Sequence, residues 1–129
     1  MLIFCRGYWS PYCVSELRSI QSQLSEFSKR GIQVVAVSVD PVGVSRMLAE
    51  KAGLTFSLLS DPGMKAIRPY DLLHIRGGPS GVDIARPAEF LIDPTGRVRW
   101  VNLTDDVRMR ATRVQVLREA DGLGFSARP

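Results

Sequence analysis

Cysteine, histidine and long apolar runs are all scarce in this chain of 129 residues. Two cysteines cannot form a disulfide framework, and the single histidine, His74, lies far in sequence from Cys5 and Cys13, so a metal site is poorly supported. No apolar run approaches the roughly 20 residues that cross a bilayer. Residues 1–5 are too short for the apolar segment of a signal peptide. We therefore expect a cytoplasmic protein with no metal, no cofactor and no membrane association.

Neither sign of charge dominates the chain. Seventeen Lys and Arg residues face 13 Asp and Glu residues, which gives a net charge of +4, and the basic residues are scattered. Nucleic-acid binding would need a basic patch interleaved with aromatic residues, and none is visible. Apolar residues make up 45% and charged residues 23%, as in ordinary globular domains. We predict a single domain over residues 1–129 that has no nucleic-acid partner.

Hydrophobic periodicity predicts strands that alternate with helices. Leu2–Cys5 and Ile32–Val39 are apolar runs typical of buried strands in a parallel sheet. The other predicted elements are a helix from Pro11 closed by Gly31, a helix over Val44–Ala52, a strand over Thr55–Leu59, a helical piece over Met64–Arg68, a long loop over 71–86, a hairpin of Ala88–Ile92 with Arg97–Asn102, and a helix over Asp105–Ala120 that buries Val107, Ala111, Val114 and Leu117. This order predicts an α/β fold, with a central mixed β-sheet flanked by helices on both faces.

The start of the first helix carries the best candidate for chemistry. Ser10 is a typical N-cap and Pro11 a typical first helical residue, so Cys13 falls in the first turn. Free N–H groups and the positive end of the helix dipole favour a thiolate there. The Ser10 hydroxyl can reach the same sulfur, and Arg6 or Arg86 can add positive charge.

A purely structural interpretation of Cys13 fits the residues equally well. Cys13 also begins the apolar stripe of its helix, which consists of Cys13, Leu17, Ile20, Leu24 and Phe27. Free cysteines on such a stripe are often inert core residues. From composition and spacing alone, both interpretations stay open.

The segment from Arg6 to Cys13 resembles the active-site segment of peroxiredoxin-like proteins of the thioredoxin superfamily, the alkyl hydroperoxide reductase and thiol-specific antioxidant group. The resemblance continues in order through residues 35–40, 58–62 and 86–98. It covers nearly the whole chain. It implies a thioredoxin-like fold and thiol-dependent redox chemistry.

The resemblance also implies roles for particular residues. Ser10 and Cys13 match the Thr-x-x-Cys of peroxiredoxins, which makes Cys13 the residue that attacks peroxide and Ser10 the residue that positions it. Arg6 stands where peroxiredoxins have a proline. Pro87 falls where thioredoxin-like folds carry a cis-proline and where peroxiredoxins often have a catalytic arginine. Arg86, next to it, is the candidate contact for the peroxide.

The substrate side of the prediction rests on Trp9, Tyr12 and Pro87, which we expect to shape the rim of the site. Cys5 is expected to be a core residue rather than a resolving partner. An external thiol of the thioredoxin or glutathione type must then reduce oxidised Cys13. The predicted substrate is a hydroperoxide or a disulfide, and a homodimer fits the resemblance.

Two hypotheses of different class remain at this point. The first is a one-cysteine, peroxiredoxin-like oxidoreductase that works through Cys13. The second is a redox-inactive thioredoxin-like binding domain, because Ser10 stands where many relatives have the first cysteine of a Cys-x-x-Cys pair.

Overall fold

The computed structural model of the chain describes residues 1–103 and 113–124. In these residues the elements are β1 (Leu2–Phe4), α1 (Pro11–Ser22), α2 (Leu24–Lys29), β2 (Val35–Ser38), α3 (Val42–Ala52), β3 (Ser57–Ser60), β4 (Leu73–His74), β5 (Ile84–Ala85), β6 (Ala88–Ile92), β7 (Val98–Leu103) and α4 (Arg113–Gly122), with 3-10 helices at Arg68–Tyr70 and Pro79–Gly81. None of the described helices is long and apolar enough to span a bilayer.

Five strands form one mixed sheet in the order β3-β2-β1-β6-β7. β1 runs parallel to β2, and β2 runs parallel to β3. β6 is antiparallel to β1, and β7 is antiparallel to β6. The parallel half with its helical crossovers and the antiparallel hairpin half confirm the predicted α/β fold with a central mixed sheet.

The two faces of the sheet are covered in different ways. On the first face, Ile3 of β1 and Leu91 of β6 pack with buried residues of α1, α2 and α4, and apolar side chains of α3 join this cluster. On the second face, Phe4 and Phe90 pack against the segment 64–85, which includes the 3-10 helix at Arg68–Tyr70. The first face therefore carries all four of the described α-helices, including the one that begins at the candidate site.

The predicted continuous first helix is interrupted. Gln23, with φ −119° and ψ 19°, leaves the helical region and separates α1 from α2. Its backbone N–H donates to the carbonyl of Ile20 at 3.0 Å, so the amide of Gln23 stays hydrogen-bonded at the break. The predicted stripe still faces one core, because Phe27 is fully buried with the α1 residues. Gly31, with φ 68°, ends this region as expected.

The segment predicted as a loop at 71–86 contains two short strands and a 3-10 helix. β4 and β5 pair in an antiparallel two-stranded sheet. The helical piece predicted over Met64–Arg68 is replaced by a turn, in which the Asp61 carboxylate accepts the N–H groups of Lys65, Ala66 and Ile67 at 2.9 Å each. Because the Asp61 side chain accepts these three successive N–H groups, they do not need helical carbonyl acceptors.

The last helix buries a different set of residues from the predicted one. Val114 was placed on the buried side by its spacing, but it is 56% exposed, whereas Val116 is 1% exposed and Ala120 fully buried. Leu117 packs against the core as predicted. The predictions for Val107 and Ala111 lie outside the described residues.

Candidate active site

Cys13 lies in the first turn of α1, at the edge of the sheet where β1 ends. Ser10 has an extended backbone (φ −87°, ψ 114°) and caps the helix, and Pro11 is its first residue. The N–H of Val14 makes the first helical bond, to the carbonyl of Ser10 at 3.1 Å. The sequence prediction for the helix start is therefore confirmed, and Cys13 is the third residue of α1.

The Cys13 sulfur is buried but receives an amide hydrogen. The Cys13 side chain is 2% exposed, and its Sγ accepts the backbone N–H of Arg6 at 3.2 Å. The helix N-terminus and this amide both favour the charged form of the sulfur. Ser10 Oγ accepts the backbone N–H of Cys13 at 3.5 Å. A hydrogen bond from the Ser10 hydroxyl to the sulfur stays a prediction.

The Arg6 side chain connects the active-site loop to the segment 71–86. Its Nη2 donates to the carbonyl of Gly77 at 3.3 Å, and its guanidinium carbon lies 4.8 Å from the centre of the Trp9 ring. Gly7 leaves room for this contact, because a Cβ at this position would force the indole of Trp9 to move. From the sequence, Arg6 was a candidate source of positive charge and the residue at the position of a peroxiredoxin proline. No sequence signal indicated that its backbone amide donates to the Cys13 sulfur.

Asp40 is a second residue of the site that sequence reasoning missed. It follows β2, is 7% exposed, and its Oδ2 accepts the N–H of Tyr8 at 2.8 Å and the hydroxyl of Ser38 at 2.9 Å. Burial raises the pKa of Asp40, and the hydrogen bonds from Ser38 and Tyr8 oppose this effect in part. Asp40 thereby holds the loop that leads from β1 to Cys13. The sequence signal for Asp40 was its position between the end of a predicted strand and Pro41.

Replacing Asp40 with alanine is expected to lower the free energy of unfolding by about 1 kcal/mol, because the partly buried Tyr8 amide loses its acceptor. Urea denaturation measures this change. Asp40→Asn is the matched control, since its amide oxygen can still accept from Tyr8, and we expect it to lose less. Equal losses in the two variants would show that this hydrogen bond contributes nothing.

A groove of about 360 Å³ opens at the same edge of the sheet. It is lined mainly by apolar side chains, among them Tyr8, Trp9, Val82 and Ile84. Of the three residues predicted to contact substrate, Trp9 lines this groove. Tyr12 is 43% exposed and lies outside the groove lining, as does Pro87.

Arg86 and Pro87 immediately precede β6. β6 pairs with β1 so that Ala88 faces Phe4, and the same register continued by one residue sets Pro87 opposite Cys5. The prediction of a cis-proline is wrong: no described peptide bond is cis. The trans form is the lower-energy default, and here the Arg86 N–H donates to the Leu72 carbonyl at 2.7 Å. Arg86 itself is exposed.

Within residues 1–103 and 113–124, no three His, Cys, Asp or Glu side chains are grouped so that they could hold a metal ion. The candidate reactive group among the described residues is the thiol of Cys13, at the N-terminus of α1. An amide bonds its sulfur, and an apolar groove lies at the same sheet edge.

Known proteins are similar in sequence to this chain over much of its length. The chain is 26% identical over 110 residues to alkyl hydroperoxide reductase C of Amphibacillus xylanus. The aligned region covers 82% of this chain and 56% of that protein. It is 27% identical over 116 residues to alkyl hydroperoxide reductase E of Mycobacterium tuberculosis, covering 88% of this chain and 72% of that protein. The chain thus spans little more than half of the first of these relatives.

Solved structures share the fold. A mutant of peroxiredoxin 6 of Arenicola marina superposes with a TM-score of 0.81 at 20% identity, over 95% of this chain and 60% of that one. Enterococcus faecalis AhpC superposes with a TM-score of 0.82 at 23% identity, over 96% of this chain and 74% of that one. The AhpC/TSA family model matches residues 1–101. A match over this much of the chain, on a peroxiredoxin fold, shows that the chain belongs to the AhpC/TSA family.

Proposed function

We propose that this chain reduces hydroperoxides with thiols as electron donors, and that Cys13 is the residue that attacks the peroxide. The observation that carries the proposal is the Arg6 N–H, 3.2 Å from the Cys13 sulfur at the first turn of α1. Membership of the AhpC/TSA family supports it. Two relatives bear the name alkyl hydroperoxide reductase, which favours an organic hydroperoxide as the substrate.

The proposed reaction needs one cysteine of the protein and two external thiols. The Cys13 thiolate attacks the terminal peroxide oxygen, the O–O bond breaks, and the leaving alkoxide takes a proton to become an alcohol. Cys13 is then a sulfenic acid. One external thiol attacks the sulfenic sulfur and releases water, and a second thiol cleaves the mixed disulfide and restores Cys13.

The other predicted site residues take supporting roles in this proposal. Ser10 holds the first turn of α1 in place through the Cys13 amide. Trp9, on the groove wall, contacts the alkyl part of the substrate. Arg86 contacts the peroxide, and Tyr12 and Pro87 complete the rim. These assignments are predictions from the family resemblance, joined to the positions of the residues.

Burial of the sulfur sets a condition on this reaction. A side chain that is 2% exposed meets a peroxide only when the first turn of α1 or the loop before it moves. The same exposure is what the binding-domain hypothesis expects of an inert cysteine. Reactivity of Cys13 toward peroxide, measured directly, therefore separates the two hypotheses.

The test is sulfenic-acid trapping. The reduced protein receives one equivalent of hydrogen peroxide in the presence of excess dimedone, and peptide mass spectrometry locates the adduct. We expect the adduct on Cys13, because only a thiolate forms a sulfenic acid readily. Cys13 recovered as an unmodified thiol after this treatment would support the binding-domain hypothesis instead.

The partners of the reaction are part of the same proposal. A reductant of the thioredoxin or glutathione type would supply the thiols, and comparing turnover with each one identifies the class. A homodimer and a cytoplasmic location stay predictions. Analytical ultracentrifugation and cell fractionation, respectively, test them.

A further inference from the structure

The groove of about 360 Å³ adjoins the active-site loop and has mostly apolar walls. Tyr8 and Trp9, which line it, belong to the segment that leads from β1 to α1. Three other lining residues are prolines, Pro41, Pro62 and Pro79. Because the proline ring fixes φ, these parts of the wall have little backbone freedom. The groove is therefore largely formed before a ligand enters it.

The charged side chains that line this groove are all acidic. Asp40 and Asp83 line it, and no Lys, Arg or His side chain in the described part of the chain does so. Arg6 contacts the ring of Trp9 but is not part of the lining. A ligand in the groove therefore meets negative charge without a cation to balance it.

Hydrogen bonds hold both carboxylates in place. Asp40 Oδ2 accepts the Tyr8 N–H and the Ser38 hydroxyl. Asp83 is exposed, and its Oδ1 accepts the backbone N–H of Arg76 at 2.8 Å. Asp40 also fixes the active-site loop, whereas Asp83 directly precedes β5 and has no contact with that loop among its recorded hydrogen bonds. Asp83 is thus the residue whose charge can be removed without loosening the loop.

We propose that Asp83, together with Asp40, makes this chain selective for uncharged organic hydroperoxides over hydroperoxides that carry a carboxylate. The inference rests on the proposed function, in which the groove holds the organic part of the peroxide. Apolar walls favour an aryl or alkyl group. A carboxylate in the same place is repelled by the acidic side chains and gives up water without gaining a cationic partner. The reaction at Cys13 is the same for both kinds of substrate.

This selectivity runs against the charge of the whole chain. The net charge is +4, and a positive protein attracts anionic small molecules as they approach. If overall charge decided the substrate, the anionic peroxide would react faster. The charges of the groove act at short range, where they outweigh more distant charges that salt screens. A preference for the neutral peroxide therefore points to the groove.

The test compares cumene hydroperoxide with its para-carboxylate, which has the same reacting group and one additional negative charge. We measure kcat/KM for each at neutral pH and low ionic strength, with excess dithiothreitol as an uncharged reductant, and divide it by the rate constant for free cysteine. We expect the neutral peroxide to be preferred by about 10-fold. Added salt should reduce this ratio, because the charge of the exposed Asp83 is screened.

Three variants assign the effect to the groove. Asp83→Asn removes the charge but keeps an oxygen that can accept the Arg76 N–H, and it should lower the ratio to about 3-fold or less, through faster reaction of the carboxylate. Val82→Lys adds a cation to the lining at a position that is 51% exposed, and it should reverse the preference. Asp71→Asn, an exposed position outside the lining, makes the same change in net charge and should leave the ratio unchanged.

Other outcomes overturn the inference and the proposed function separately. Equal reactivity of the two peroxides, or a preference for the carboxylate, would overturn the selectivity while leaving the proposed function intact. A ratio that persists in Asp83→Asn and Val82→Lys, or falls equally in Asp71→Asn, would also overturn it, since the groove charges would then not be its cause. If the chain reduced neither peroxide, the proposed function itself would be contradicted.

Discussion

Cys13→Ser is expected to lower peroxide turnover by about 1,000-fold or more, as loss of the nucleophile does in covalent catalysis. A serine hydroxyl is close in size to the thiol and fits the same buried site. It does not ionise near neutral pH, however, and it forms no counterpart of the sulfenic acid. Consumption of an alkyl hydroperoxide in the presence of excess thiol reductant measures the loss.

The control for this experiment is Ser15→Ala, an exposed position on the same helix. It should keep full turnover and an unchanged circular dichroism spectrum. If Cys13→Ser kept a substantial part of the activity, the peroxide would be reacting elsewhere in the chain. The proposed function would then be wrong in its central residue.

Arg6→Pro is expected to slow alkylation of Cys13 at pH 6 by about 10-fold. Proline has no backbone N–H, so the variant removes the donor that lies 3.2 Å from the sulfur. Hydrogen bonds to charged groups contribute about 1.5–3 kcal/mol, and about 1.4 kcal/mol corresponds to tenfold in the thiolate population. The pKa of the Cys13 thiol should therefore rise. Iodoacetamide alkylation followed against pH measures it.

Arg6→Ala is the matched variant, because alanine keeps the amide and loses only the side chain that contacts Gly77 and Trp9. The difference between the two variants isolates the amide. Equal pH profiles for Arg6→Pro and Arg6→Ala would show that the amide does not stabilise the thiolate. Thermal unfolding of both variants checks that the loop before α1 remains folded.

The local elements of the fold followed from short stretches of sequence. Ser10 and Pro11 started α1 as predicted, and Gly31 ended the helical region. β6 has the bounds predicted for the first strand of the hairpin. These features depend on the conformational preferences of neighbouring residues, which the sequence displays directly.

Elements that depend on distant partners were not predictable in the same way. β4 and β5 are two residues each, too short for periodicity to detect, and they exist because they pair with each other. The buried side of α4 differed from prediction at Val114, because the core it meets determines which face of a helix is covered. The turn at Lys65–Ile67 depends on the Asp61 carboxylate, which no helical pattern reveals.

For the candidate site, the sequence by itself determined that a cysteine stands in the first turn of a helix after a core strand, since capping and spacing are local. Only the tertiary structure decided what surrounds that sulfur. The Arg6 amide and the carboxylate of Asp40 reach the site through the path of the chain between β1 and α1 and through the pairing of β1 with β2. Such contacts depend on three-dimensional proximity, which cannot be read from the spacing of residues along the chain.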